Sequence, residues 1–85
     1  MTVVHRLVGY DRNSDRVAFE KYIPPAELMA AMQISNVPFD DPDAIFDYAL
    51  NPMQARDIAG LLHVIIAHPD NLHFVLEAFD TKEES

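Results

Sequence analysis

The chain has 85 residues, 49% of them apolar, and its 14 acidic against six Lys and Arg residues give a formal net charge of −8. One domain with one modest core is expected at this length, and the negative field disfavours nucleic acid and anionic membranes as partners. Because the chain has no cysteine, disulfides and thiolate metal sites are excluded, and packing or self-association must supply its stability.

The negative charge is concentrated after residue 23. Residues 1–23 hold four basic and three acidic residues, whereas residues 24–85 hold eleven acids against Arg56 and Lys82. No apolar run at the N-terminus is long enough for a signal peptide. The composition therefore predicts an intracellular, cytoplasmic protein with a near-neutral head and an anionic body.

The N-terminal segment is predicted to form an antiparallel β-hairpin. Its two strands, rich in β-branched and aromatic residues, are residues 3–10 and 16–23. With residues 11–15 as a five-residue turn, Arg6 lies opposite Glu20 and His5 opposite Lys21. An opposite-charge pair at this position contributes roughly 0.2 to 1 kcal/mol. Both faces carry apolar residues, so the pattern leaves open which face is buried.

Proline marks the start of the first predicted helix. Pro24 and Pro25 end the second strand because neither donates to a ladder, and Pro25 suits the first helical position. The helix is predicted over residues 26–34, and Asn36 and Pro38 end it.

Two elements are predicted in the middle of the chain. Residues 45–50 alternate as in a short strand, and a helix starting at Asp41 is the alternative. Residues 51–54, Asn-Pro-Met-Gln, combine a capping residue, a proline at the first helical position and a glutamine that bonds back to the cap. A helix is therefore predicted from residue 52 to about residue 62.

The C-terminal third is predicted to complete the sheet. Residues 64–67 form a candidate short strand and residues 69–71 a turn. Residues 72–79 fit both strand and helix spacing, and a strand is favoured because a bare hairpin is marginal alone. Residues 81–85 are expected to be a flexible, solvated tail. The predicted fold is α+β over residues 1–80: an N-terminal antiparallel hairpin, two short helices, and one or two further strands completing a small antiparallel sheet.

Neither the histidines nor the hydroxyls indicate an active site. His63, His68 and His73 are five residues apart, a spacing that puts neighbours about 140° apart on a helix and on opposite faces of a strand. No serine has a glycine elbow or an adjacent base. An enzymatic or small-molecule site would rest on His5 with Lys21, or on the C-terminal histidines. We therefore predict no enzyme activity, no catalytic residue, no cofactor and no metal.

The densest group of carboxylates is the predicted partner-binding site, formed by Asp40, Asp41, Asp43 and Asp47. An EF-hand loop would need a central glycine and a glutamate at its twelfth position, and this segment has neither. Solvation and helix capping are the simplest interpretation. The more specific one is an acidic surface that binds Lys or Arg on a basic protein.

One stretch resembles a group of short bacterial proteins. Residues 48–55, Tyr-Ala-Leu-Asn-Pro-Met-Gln-Ala, lead into the helix and are followed by the aromatic segment 72–79. Uncharacterised or immunity-type bacterial proteins are similar, with a hairpin before an aromatic-x-Leu-polar-Pro-x-Gln-Ala helix start. The resemblance implies a bacterial interaction protein. The sequence thus predicts a non-catalytic protein–protein interaction module, immunity-like or regulatory; a small-molecule-binding or enzymatic domain and an obligate homo-oligomer, such as a homodimer, are the alternatives.

Overall fold

The computed structural model describes residues 3–80, which form a four-stranded antiparallel sheet with two helices packed on one face. The strands are β1 (Val3–Asp11), β2 (Val17–Ile23), β3 (Tyr48–Leu50) and β4 (Leu72–Asp80), and the helices are α1 (Pro25–Ile34) and α2 (Pro52–Leu61). The sheet order is β2-β1-β4-β3. The predicted α+β class and its N-terminal hairpin are confirmed. Neither helix among these residues is long and apolar enough to cross a membrane.

The register of the hairpin differs from the predicted one by two residues. Arg6 lies opposite Tyr22 rather than Glu20. Two features cause the difference: β1 continues to Asp11, and a β-bulge leaves Ala18 unpaired between two ladder positions. Because the displacement is two residues as far as Phe19, the same side chains share each face of the sheet up to that position. Beyond the bulge the displacement is one residue, so Val17 pairs with Tyr10 rather than Gly9 and belongs to the other face. The predicted faces are therefore correct from His5 to Gly9 and from Phe19 to Ile23, although the pairing is wrong.

Both helices begin at a proline, as predicted. At α2, the Asn51 side chain accepts a hydrogen bond from the Gln54 backbone N–H at 2.8 Å, and the Gln54 side chain accepts one from the Asn51 N–H at 2.9 Å. The Gln54 amide also donates to the carbonyl of Ile34 at 2.9 Å. One side chain thus caps α2 and attaches its start to the end of α1.

Two predictions about the second half of the chain need correction. The predicted strand at residues 45–50 is reduced to β3, because residues 41–46 form a turn around Asp41. The candidate strand at residues 64–67 does not form: His63 and His68 both have positive φ values, 57° and 53°, and reverse the chain at each end of the segment. The strand favoured for residues 72–79 is confirmed, and as β4 it pairs with both β1 and β3.

The sheet face without helices carries an ion-pair network centred on Arg6. The Arg6 Nε and Nη2 atoms donate to Glu77 at 3.2 and 3.0 Å, Nη1 donates to Glu20, and Tyr10 donates to the same Glu77 carboxylate. The guanidinium carbon lies 4.9 Å from the centre of the Phe79 ring. The expected Arg6–Glu20 contact therefore exists diagonally, because the arginine side chain is long enough to span the shifted register.

Gly9 lies where the core leaves no room for a side chain. A Cβ at this position would lie 3.0 Å from Leu72 Cδ1, 3.1 Å from Phe74 Cε1 and 3.3 Å from Phe19 Cβ. We expect Gly9→Ala to lower the free energy of unfolding by about 1 to 2 kcal/mol, because an overpacked core must shift to admit the methyl group. Urea denaturation measures the change. Gly60→Ala, whose Cβ meets no atom within 4 Å, is the matched control and should be neutral or stabilising; equal effects would contradict the prediction.

Candidate functional site

The candidate site is the loop of residues 38–47 between α1 and β3, here called the acidic loop. It contains all four aspartates of the predicted partner-binding group: Asp40, Asp41, Asp43 and Asp47. Three of them are exposed, whereas Asp41 is only 5% exposed. The structure therefore places the four carboxylates in two different environments, three on the surface and one in the interior of the loop.

The Asp41 carboxylate is the centre of the loop. It accepts hydrogen bonds from the Ile45 N–H at 3.0 Å, the Phe46 N–H at 3.3 Å and the Tyr48 hydroxyl at 2.5 Å. Burial disfavours the charged form, but these three bonds and the nearby His5 together lower the pKa of Asp41. Asp41 thus folds the loop, and its carboxylate is occupied within the chain.

His5 attaches the acidic loop to strand β1. Its ring is buried, and Nε2 lies 2.9 Å from the carbonyl oxygen of Asp43 and 3.1 Å from that of Ala44. Both partners are acceptors, so Nε2 carries the proton and donates to them. Ala44 is fully buried and has a φ of 48°. The loop backbone is therefore held from two sides, by Asp41 within the loop and by His5 from the sheet.

The outer surface of the loop combines carboxylates with large apolar side chains. Phe39 is 97% exposed, Phe46 64% and Ile45 53%. The charge pattern of the sequence does not point to these three apolar residues. The sequence nevertheless contains a signal for the exposure of Phe39. This residue lies between Pro38 and two aspartates, in a turn segment where no core strand or helix can bury it.

Asp47, at the end of the acidic loop, lies near the sheet face without helices. Burial and repulsion by Glu77 raise the pKa of Asp47, while Arg6 lowers it. Asp47 therefore lies within electrostatic reach of the Arg6 network.

The residues of the alternative sites are not brought together. His5 lies opposite Ile23 and Lys21 opposite Leu7 rather than opposite each other, and the His5 ring bonds to the acidic loop instead. Two cavities of about 310 and 440 Å³ lie beside the 64–71 segment. Neither is lined by two of these side chains, and His68 is the one that lines the larger cavity. Between residues 3 and 80 no three His, Asp or Glu side chains are grouped so that they could hold a metal ion.

Alkaline titration tests the hydrogen bonds of two carboxylates. The bond to Asp41 raises the pKa of Tyr48 to about 12, and the bond to Glu77 raises that of Tyr10 to about 12. Because these folded-state values exceed the ordinary value near 10, the stabilisation is complete below pH ~10 and is lost as pH rises through about 12. The ultraviolet absorbance of tyrosinate should therefore rise in two steps near pH 12, one for Tyr48 and one for Tyr10. We expect Tyr48→Phe to remove one of these steps and Glu77→Gln to move the other to lower pH. If neither substitution changes the absorbance near pH 12, these assignments are contradicted.

The surface of the acidic loop combines carboxylates with exposed aromatic side chains. Carboxylates form ion pairs with Lys or Arg, and exposed aromatic side chains supply the buried contacts that dominate protein interfaces. Comparison with protein-family models, with curated proteins and with solved structures finds no match to this chain.

Proposed function

We propose that this protein is a non-catalytic protein-binding module of immunity-like or regulatory type, acting in the cytoplasm, that holds a basic partner through its acidic loop. One observation carries the proposal: Phe39 is 97% exposed on a loop whose backbone is fixed by Asp41 and His5. Burying a phenylalanine side chain is worth roughly 1.5 to 3 kcal/mol. A partner that covers Phe39 gains this free energy without first having to order the loop.

The charge of the chain supports a basic partner. Asp40, Asp43 and Asp47 are exposed around the apolar side chains of the loop, and Arg56 is the sole Lys or Arg between residues 24 and 80. A single-sign field of this kind raises the association rate with oppositely charged proteins and suppresses wrong partners. Phe39 and Phe46 then act as apolar anchors, and the three aspartates select the charge of the partner.

Affinity capture from the native host with matched variants tests the proposal. The baits are the unsubstituted chain, Phe39→Ala, and Asp40→Asn combined with Asp43→Asn. We expect both variants to lose a partner that the unsubstituted chain retains, and we expect the retained partner to be basic and to dissociate as salt rises, since charges are screened beyond about 10 Å at 0.1 M.

Two controls isolate the loop. Val17→Ala removes a half-exposed apolar side chain at the end of the hairpin that is far from the acidic loop. Val17 pairs with Tyr10, which lies about 16 Å along β1 from His5. Asp15→Asn with Asp70→Asn removes two exposed charges outside the loop. Equal loss in the controls, or binding that is independent of salt, would refute the proposal.

Light scattering decides whether the partner is a second copy. The chain has a mass of 9.6 kDa, and we expect this mass for the isolated protein. A doubled mass that returns to the single value in Phe39→Ala would replace the basic partner with a homodimer through the same loop.

A further inference from the structure

A cavity of about 310 Å³ lies between α2 and the segment that leads to β4. Pro52, Arg56, Ala59 and Gly60 form one wall and share one stripe of α2, because their spacings of three and four residues follow the helix period. Residues Val64, Ile65, Ile66 and Pro69 form the other wall. The volume falls at the lower end of the range of small-molecule sites, and the lining is apolar except for one charged side chain.

That charged side chain, Arg56, has no partner among residues 3–80. Positions three and four residues away on α2 hold Pro52, Met53, Ala59 and Gly60, none of them acidic. Among residues 3–80 no ion pair or hydrogen bond of the Arg56 side chain is formed, whereas Arg6 is paired with two glutamates. An unpaired guanidinium can bind an external carboxylate through two parallel hydrogen bonds.

Gly60 preserves the cavity at a cost to the helix. A glycine inside a helix destabilises it by roughly 0.5 to 1 kcal/mol relative to alanine. The backbone does not require it, since Gly60 does not have a positive φ, and a Cβ at this position meets no atom within 4 Å. A larger side chain would instead extend into the cavity that Gly60 lines. Gly60 is therefore not needed for the helix backbone, and its missing side chain leaves the cavity open.

We propose that this cavity binds a small carboxylate with an apolar body. The guanidinium of Arg56 pairs with the carboxylate, and the apolar body lies between Ala59 on α2 and the side chains of Val64 and Ile66. The side chains of Val64 and Ile66 give the body of the ligand apolar contacts, and the lining of the cavity has no carboxylate that would attract a cation. This site is separate from the acidic loop and does not depend on the proposed function.

Backbone amide shifts in NMR spectra test the site with octanoate as the probe. We expect saturable shifts confined to residues 52–69, and weaker or no binding of octylammonium and octan-1-ol, which have the same chain without the negative charge. Arg56→Gln should weaken octanoate binding about fivefold, the upper range for an exposed ion pair, and Arg56→Lys should weaken it less.

Substitutions at Gly60 separate the cavity from the charge. Gly60→Leu should abolish octanoate binding while the helix is retained, since leucine is a strong helix former. Met53→Leu, on the same helix but outside the lining, and Phe39→Ala, in the acidic loop, should both bind octanoate as the unsubstituted chain does. Equal affinity for octylammonium, unchanged binding in Gly60→Leu or Arg56→Gln, or shifts centred on residues 38–47 would each overturn the proposal.

Discussion

Replacing Arg6 with alanine is expected to lower the free energy of unfolding by about 2 kcal/mol. The guanidinium holds two glutamates, and Glu77 is the more critical because its side chain is only 15% exposed. Hydrogen bonds to charged groups contribute about 1.5 to 3 kcal/mol and exposed ion pairs about 1 kcal/mol or less, so the lower part of the first range applies to this partly exposed network. The substitution also uncovers Phe79, over which the guanidinium lies.

Two further variants identify the cause of that loss. Arg6→Lys keeps the charge but not the planar fork and should lose a smaller amount. Glu77→Gln added to Arg6→Ala removes the carboxylate left without a cation, so the double variant should be more stable than the sum of the single effects predicts. Urea denaturation of the four proteins completes the cycle. Additive effects would show that the network does not couple these residues.

The pH dependence of the Arg6 variant follows from Asp47. Burial and Glu77 raise the pKa of Asp47, and Arg6 counteracts them. Without Arg6 the folded-state pKa of Asp47 rises further, so the folded variant takes up protons more readily than its unfolded chain. The difference in stability between the variant and the unsubstituted protein should therefore shrink as the pH is lowered from neutral to mildly acidic values. A difference independent of pH would contradict this linkage.

The parts of the fold that depend on local sequence were predictable. The start of α2 was identified because Asn51, Pro52 and Gln54 form the cap within four consecutive residues. The register of the hairpin was not, since it depends on a bulge at Ala18 that no local pattern encodes. For β4, periodicity allowed a helix or a strand, and pairing with β1 along its whole length decides for the strand. The pairing of β4 with a distant strand thus decides its secondary structure, which its local propensity leaves open.

The candidate site was predictable as a segment but not residue by residue. Four aspartates within eight positions marked the acidic loop as a place of concentrated charge. That Asp41 is buried and the others are exposed depends on Tyr48 and His5, which come from two different strands. Since any of the four had the same local chemistry, only the folded chain distinguishes the residue that shapes the loop from those on its surface.

Replacing Asp41 with alanine is expected to disorder the acidic loop while leaving the sheet folded. Three donors then lose their acceptor: the backbone N–H groups of Ile45 and Phe46 and the hydroxyl of Tyr48. Hydrogen exchange should show those two amides exchanging much faster, with the amides of β1 and β4 still protected. Asp43→Ala is the matched control, since this exposed residue contributes only its backbone carbonyl to His5.

The pH dependence provides an independent readout of the same substitution. The pKa of Asp41 is lower in the folded protein than in the unfolded chain, so its stabilisation is present above the unfolded value and is lost as the pH falls through the folded value. Asp41→Ala should therefore differ most from the unsubstituted protein at neutral pH and converge with it in acid. Because the loop must be ordered to present Phe39, we expect the same variant to bind the proposed basic partner more weakly than the unsubstituted protein, although the Asp41 carboxylate is occupied within the chain. Unchanged exchange of the Ile45 and Phe46 amides would show that His5 alone suffices to hold the loop.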